Sequence, residues 1–278
     1  MNRLLVKQQL QQFFIEDIGH GDLTSMLFEN KKGTGDFVVK QSGVVAGLSI
    51  ISDGYQLVDS NIQVNTYVED GQWVEKGTII ATASGPVSAL LSGERVILNL
   101  VQRMSGIATL TNEAVRSLSS DHTRLCDTRK TTPGLRMFEK YAVLCGGGFN
   151  HRIGLYDGVM IKDNHITACG SIKKAVEKVK QQLGHMVKIE VETETETQVK
   201  EAIEAGADVI MFDNRLPDEV EQFIKLVPPQ IVTEASGGIT LENISDYSHC
   251  GVDYISLGFL THSVKALDIS FNLKGGMK

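Results

Sequence analysis

No stretch of this chain approaches 18 uninterrupted apolar residues, so no transmembrane helix is expected. The amino terminus, MNRLLVKQQLQQFFIEDIGHGD, scatters Gln, Lys and Glu among its apolar residues and lacks the continuous core of a secretory signal, which makes a cytoplasmic location the default. No CxxC occurs: Cys126, Cys145, Cys169 and Cys250 are widely separated, so neither a zinc centre nor a disulfide framework is indicated. A surplus of cations is missing as well. The net charge of −7 argues against tracking a nucleic-acid backbone.

Against that acidic background stands one basic island, Thr123–His165. It holds Arg124, Arg129, Lys130, Arg136, Lys140, Arg152 and Lys162 against Asp127, Glu139, Asp157 and Asp163, a local balance of +3 in a chain of −7. The island suits a small, strongly negative ligand. Its cations sit where apolar runs stop: Arg129 and Lys130 follow 123–126, and Lys162 closes 158–161. If those runs are parallel strands, the cations lie at carboxyl ends, where α/β sheets and barrels build their sites.

With 278 residues, 42% hydrophobic, the chain is long enough for two domains. Residues 2–17 have the spacing of an amphipathic helix, and His20 with Asp22 reads as a turn capping the next segment. Strands are expected at 36–40, 62–68 and 78–83, with a helix over 47–58. The passage 68–80 resembles the hairpin of biotinyl and lipoyl carriers but offers no modifiable lysine at its tip, so the likeness is one of scaffold geometry. Two helices, 90–104 and 107–118, are expected next.

Beyond Ser120 strands near 123–126, 157–161, 186–191, 208–212, 230–234 and 252–257 alternate with helices near 135–145, 171–183, 196–205, 217–226 and 240–249. This is parallel β. The length is short for eight units, so an incomplete barrel of six or seven strands is expected. The fold class is thus α/β, with an N-terminal α/β sandwich over 1–105, to which 266–278 are free to return, and an open barrel carrying the active site over 106–265.

The strand ends deliver Asp127, Arg129 and Lys130, then Lys162, Glu190 and Glu192, Asp213 with Asn214, Glu234 to Gly238, and Gly258 to one rim. Period-2 alternation puts Lys188, Glu190 and Glu192 on one face of their strand, where buried charge demands cationic or metal partners. Glu192 and Asp213 on adjacent strands offer hard oxygen ligands for Mg2+ together with substrate phosphate. Ser236, Gly237 and Gly238 open a loop whose backbone N–H groups can approach phosphate.

Taken together, DTRKTTPGLR, KYAV, NHR, IKDNH, EVE, DN, EASGGI and GVDYISLG, preceded by GDLTS and GERVILNLVQRMSGIAT, resemble in order the blocks of the quinolinate phosphoribosyltransferases. The likeness spans nearly the whole chain, and only the TETET run at 193–197 looks idiosyncratic. It implies transfer of phosphoribose from phosphoribosyl pyrophosphate to quinolinate with decarboxylation, giving nicotinate mononucleotide, pyrophosphate and CO2, with Mg2+, in NAD biosynthesis. It also implies a homodimer with a shared active site, with assembly beyond the dimer left open. By the same resemblance Arg129, His151, Arg152 and Lys162, with Arg95 of the neighbouring subunit, hold the acceptor carboxylates. Lys130 faces donor and ring, Glu192 and Asp213 face metal and ribose, and Ser236, Gly237, Gly238 and Gly258 hold phosphate. Lys130, Glu192 and Asp213 are the expected catalytic groups. Rival readings are a paralogue with another anionic acceptor, of the molybdate-transport-associated type, a barrel aldolase using Lys162 as a Schiff base, and the carrier module.

Overall fold

The structure, a computed structural model, describes residues 1–28 and 30–274, so the last part of the 266–278 segment lies outside the described residues. The chain divides into two units: Met1–Asn112, Met137–Gly147 and the chain from Ser263 form one, Glu113–Arg136 and Gly148–His262 the other. In chain order the strands are β1 (Lys32–Val39), β2 (Gly43–Val44), β3 (Gln63–Thr66), β4 (Trp73–Val74), β5 (Ile79–Pro86), β6 (Arg124–Cys126), β7 (Val159–Ile161), β8 (Ile189–Thr193), β9 (Val209–Asp213), β10 (Val232–Ser236), β11 (Tyr254–Ser256) and β12 (Ile269–Lys274). The helices are α1 (Arg3–Ile18), α2 (Leu48–Val58), α3 (Val87–Leu118), α4 (Arg136–Cys145), α5 (Asp163–Cys169), α6 (Ile172–Gln182), α7 (Glu196–Ala205), α8 (Pro217–Ile224) and α9 (Phe259–His262).

In the first unit β12-β1-β5-β3 form an antiparallel sheet, and β2 pairs with β4. The C-terminal strand runs the length of β1, from Thr34 opposite Lys274 to Val39 opposite Ile269. Phe37, Tyr55 and Phe271 cluster with ring centroids 4.9 to 6.4 Å apart. Burial of each such side chain contributes roughly 1.5–3 kcal/mol. Asp22 caps the turn at Ser25–Phe28, accepting the amide protons of Thr24 and Ser25.

The two helices expected over 90–104 and 107–118 are one, α3. Gly106, in the gap expected between them, is a point of close approach: a Cβ there would lie 2.3 Å from the Lys265 carbonyl oxygen. A helix tolerates that glycine at a cost of roughly 1 kcal/mol relative to Ala, and the chain after Ser263 can pass against it.

The second unit is a six-stranded parallel sheet in the order β6-β11-β10-β9-β8-β7, the open α/β barrel that the alternating pattern predicts. Its two edges, β6 and β7, are adjacent in sequence order; beside β6 an isolated parallel bridge, Cys126 to Phe149, is what the described residues show of a seventh strand. Local signals fix the helices. Thr195 and Gln198 form a reciprocal capping box on α7, Gly206 ends it in a left-handed conformation, and Ser171 caps α6. The TETET run is thus the end of β8 followed by that cap.

Three expectations need correction. The helix over 240–249 is only a 3-10 turn, Ile244–Tyr247. The Asn243 side chain accepts from the Thr240 amide and donates to the Gly238 carbonyl, which competes with helix propagation. Helix α5, absent from the expected list, forms directly after Lys162. Lys188 does not share the inward layer: it precedes β8, is exposed, and pairs with Asp208 at 2.9 Å.

Candidate active site

The carboxyl ends of the six parallel strands surround a cavity of about 690 Å3 lined by Arg129, Lys130, His151, Arg152, Lys162, Glu192, Asp213, Ser236, Gly237, Gly238 and Gly258, among others. Eleven of the twelve residues expected at the site therefore meet in one place. Arg95 does not line it; it lies on α3 of the first unit, exposed, 3.7 Å from its neighbour Glu94.

Each position follows from a strand that stops. β6 ends at Cys126 and releases Arg129 and Lys130, both exposed and without an ion pair among the described residues. β7 ends at Ile161 and presents Lys162, whose ammonium pairs with Glu192 near the end of β8. Asp213 closes β9, and its Oδ2 accepts from Asn214 Nδ2 at 2.6 Å. Glu192 lies opposite Met211 on the adjacent β9, two residues before Asp213. Two carboxylates on adjacent strands, with oxygen as the donor atom, fit a hard divalent cation such as Mg2+.

After β10 the chain turns sharply. Gly237 has φ +81°, and a Cβ there would lie 2.3 Å from Asn214 Oδ1 and 3.0 Å from the Asn214 nitrogen. Asn214 itself is left-handed, at φ 53°, and its amide donates to the Ser236 carbonyl at 2.7 Å. Gly258 leaves room for Lys130, whose Cδ would stand 2.9 Å from a Cβ at that position. These glycines bring backbone to the rim, Gly258 beside the strand end that releases Arg129 and Lys130.

Under the rim lies a buried cluster. His151 Nε2 is 3.0 Å from Glu190 Oε2 and 3.6 Å from Glu234 Oε2, and the three groups are close enough to hold a metal ion. Burial pushes up the Glu234 carboxyl, the charge of Glu190 adds to it, and His151, the Ser256 hydroxyl and Lys162 oppose it. Arg152 Nη1 donates to the Gly158 carbonyl at 2.7 Å. Burial and the charge of Arg129 lower its proton affinity, against Glu190.

Asn214, expected at the rim beside Asp213, lines the cavity, as do Ser256 and His262, which were not expected as site residues. Nothing in the local pattern marks His262.

A six-stranded open α/β barrel with a cationic, glycine-bearing rim at its carboxyl end and two carboxylates facing the same cavity defines an enzyme of phosphorylated, polyanionic substrates. Comparison with known proteins narrows this. Residues 22–105 match the quinolinate phosphoribosyl transferase N-terminal domain and residues 107–272 the C-terminal domain of the same name. The chain belongs to the quinolinate phosphoribosyl transferase family. It is 60% identical over 274 residues to a probable nicotinate-nucleotide pyrophosphorylase (carboxylating) of Bacillus subtilis, covering 98% of this chain and 95% of the relative. It is 43% identical to the corresponding protein of Synechocystis, covering 97% and 93%. The solved structure of NadC from Streptococcus pyogenes superposes with a TM-score of 0.94 at 38% identity, covering 99% of this chain and 97% of that one.

Proposed function

We infer that the chain transfers the phosphoribosyl group of phosphoribosyl pyrophosphate to quinolinate with loss of CO2, giving nicotinate mononucleotide and pyrophosphate in de novo NAD biosynthesis. The observation that carries this reading is the convergence of Arg129, Lys130, Arg152 and Lys162 with Glu192 and Asp213 in one cavity. Quinolinate brings two carboxylates and the donor a phosphate and a pyrophosphate, so a rim of fixed cations with fork geometry is what both reactants require.

Arg129, His151, Arg152 and Lys162 serve the acceptor side, joined by Arg95 of a second copy of the chain. The loop Ser236, Gly237 and Gly238, with Gly258, cradles the donor's phosphate through backbone N–H groups. As pyrophosphate departs, the ribose carbon becomes oxocarbenium-like, and the carboxylates of Glu192 and Asp213 stabilise that positive charge while Lys130 neutralises the leaving oxygen. When bound, Mg2+ would be held by Glu192 and Asp213 and would supply Lewis-acid neutralisation of the leaving group. In the second half-reaction the bond from ring C2 to its carboxylate breaks, CO2 leaves, and the electron pair left on C2, offset by the adjacent cationic ring nitrogen and the rim, takes up a proton from solvent to form the C2–H of the product. The four cysteines are free thiols, which supports a reducing, cytoplasmic compartment.

The test is release of CO2 from carboxyl-labelled quinolinate. Release is expected only with both phosphoribosyl pyrophosphate and Mg2+, and nicotinate should not serve as acceptor; release without the donor would overturn the reading. The shared site is tested by mixing inactive Arg95→Ala and Lys162→Ala subunits. Partial recovery is expected, and verified mixed dimers without recovery would exclude Arg95 from the partner's site.

A further inference from the structure

Asn150, His151 and Arg152 lie between the bridge at Phe149 and β7, with no strand ladder to hold them. Side chains do it instead. Asp127 accepts from Asn150 Nδ2 at 2.6 Å and from the His151 amide at 2.9 Å. The Arg152 amide donates to His151 Nδ1 at 2.7 Å. A ring nitrogen that accepts carries no proton, so the proton of neutral His151 is on Nε2, directed at Glu190 and Glu234.

That direction matters for what the cluster is. Three ligating atoms are near enough together for a metal, but a metal would need the Nε2 lone pair, which the Nε2 proton occupies. Nor is the cluster a saturated structural network: Glu190 Oε1, Glu234 Oε1 and Arg152 Nε are buried and have no hydrogen-bond partner among the described residues. Both carboxylates also line a second cavity of about 280 Å3 among the strand starts Val159, Val209, Val232 and Tyr254. Leaving two carboxylate oxygens bare costs about 1–3 kcal/mol each, and hydrophobic residues of similar volume would avoid that cost. Their placement makes sense as support for something above them.

We propose that Glu190 and Glu234 are positioning residues of the acceptor subsite: they lock His151 in its Nε2–H form, and His151, through Nδ1, seats the Arg152 backbone and leaves the Arg152 Nε unpaired for an anionic ligand. His151 then serves the acceptor by holding Arg152 and not by direct contact. This rests on the assignment of Arg152 to the acceptor carboxylates made above.

Two measurements test it on the full-length enzyme. Nitrogen-15 spectra of the ligand-free protein should show His151 as a single Nε2–H tautomer, and Glu190→Leu or Glu234→Leu should leave it exchanging between forms. In steady-state kinetics Glu190→Leu should raise KM for quinolinate about tenfold, the loss of one charge-assisted hydrogen bond, while KM for phosphoribosyl pyrophosphate stays within about twofold. Glu190→Gln, which retains an oxygen to accept from Nε2–H, should recover most of that loss. An Nδ1–H tautomer, an equal rise in both KM values, or stoichiometric Zn2+ uptake abolished by Glu190→Leu would each overturn the proposal. Arg152→Ala separates the two layers of argument. If it leaves KM for quinolinate unchanged, the acceptor assignment fails whatever the tautomer; if it raises KM while Glu190→Leu does not, the positioning role alone fails.

Discussion

The two units bury acidic groups in opposite ways. In the first, each buried acid has a cation: Asp36 pairs with Lys274 at 2.8 Å and accepts from Thr82, Asp53 pairs with Arg3 at 2.7 Å, and Glu139 is gripped by Arg103 through two nitrogens at 2.6 and 2.8 Å. In the second, Glu190 and Glu234 lean on one histidine and each keeps an oxygen bare. Burial pushes up both Asp36 and Glu234, yet Lys274 and Thr82 bring Asp36 below the ordinary carboxylate range while Glu234 ends above it. A charge that serves the fold is saturated. A charge that serves a site is left with capacity to spare, and a similar division separates Arg103, paired in the first unit's core, from Arg129 and Lys130 at the rim, which have no ion pair among the described residues, while Lys162 beside them pairs with Glu192.

The sharpest way to break this comparison is to remove one cation from each class. Arg103→Ala takes the guanidinium away from a fully buried Glu139 carboxylate, and breaking such a pair costs about 3–5 kcal/mol of stability. Thermal unfolding should show it as a large fall in Tm. Arg129→Ala removes an exposed group with no ion pair, so Tm should move by under about 0.5 kcal/mol equivalent, while kcat/KM for quinolinate falls about 10²–10³-fold. If Arg129→Ala unfolds the protein, or Arg103→Ala leaves Tm intact, paired and unpaired cations do not divide as the structure indicates.

A smaller effect is expected from Gly237→Ala. The new Cβ would overlap Asn214 Oδ1 in a left-handed turn, so the loop and Asn214 must both shift. The strain is about 1–3 kcal/mol, and in kinetics it should appear as a raised KM for phosphoribosyl pyrophosphate with KM for quinolinate little changed. An unaltered donor KM would remove this turn from the phosphate subsite.

The rim was legible in the sequence because parallel strands are short and end in polar residues. DTRK after an apolar run, DN after another and SGG after a third announce carboxyl ends, and the strand-helix period brings them to one side. The alternation in KIEVE revealed that Glu190 and Glu192 share a face, and β8 bears this out, with Glu190 toward the buried cluster and Glu192 at the rim. It misled at Lys188, because a period-2 rule holds only inside a strand and β8 begins one residue later. Hidden altogether was the link from His151 to Glu190 and Glu234, residues 39 and 83 positions apart. That distance is closed by sheet order and not by any local pattern. Helix α3 runs unbroken through the gap expected at 105–106, where Gly106 leaves space for the distant Lys265–Ala266 backbone.

The mildest prediction concerns Glu234 and probes the comparison from its thermodynamic side. An unfolded glutamate titrates near about 4.3, and the native Glu234 carboxyl lies above that because burial and Glu190 disfavour its charge. Between those two values the native state retains a proton that the unfolded state has lost, so folding stability falls as pH rises through the window. Asp36 has the reverse sign: its native value is lowered, and its contribution is lost as pH falls. Glu234→Gln carries no proton to lose. Its Tm should therefore match the wild type near about pH 4 and exceed it increasingly up to about pH 7, where the native carboxyl titrates, by about 1 kcal/mol or somewhat more, since one unit of pKa shift is about 1.4 kcal/mol. Asp36→Asn should instead be less stable than the wild type at neutral pH and approach it in acid. A protein that gains stability where it loses a carboxylate beneath its site, and loses stability where it gives one up from its sheet, carries the two charges for different reasons. Equal pH profiles for the two variants would mean that both are structural.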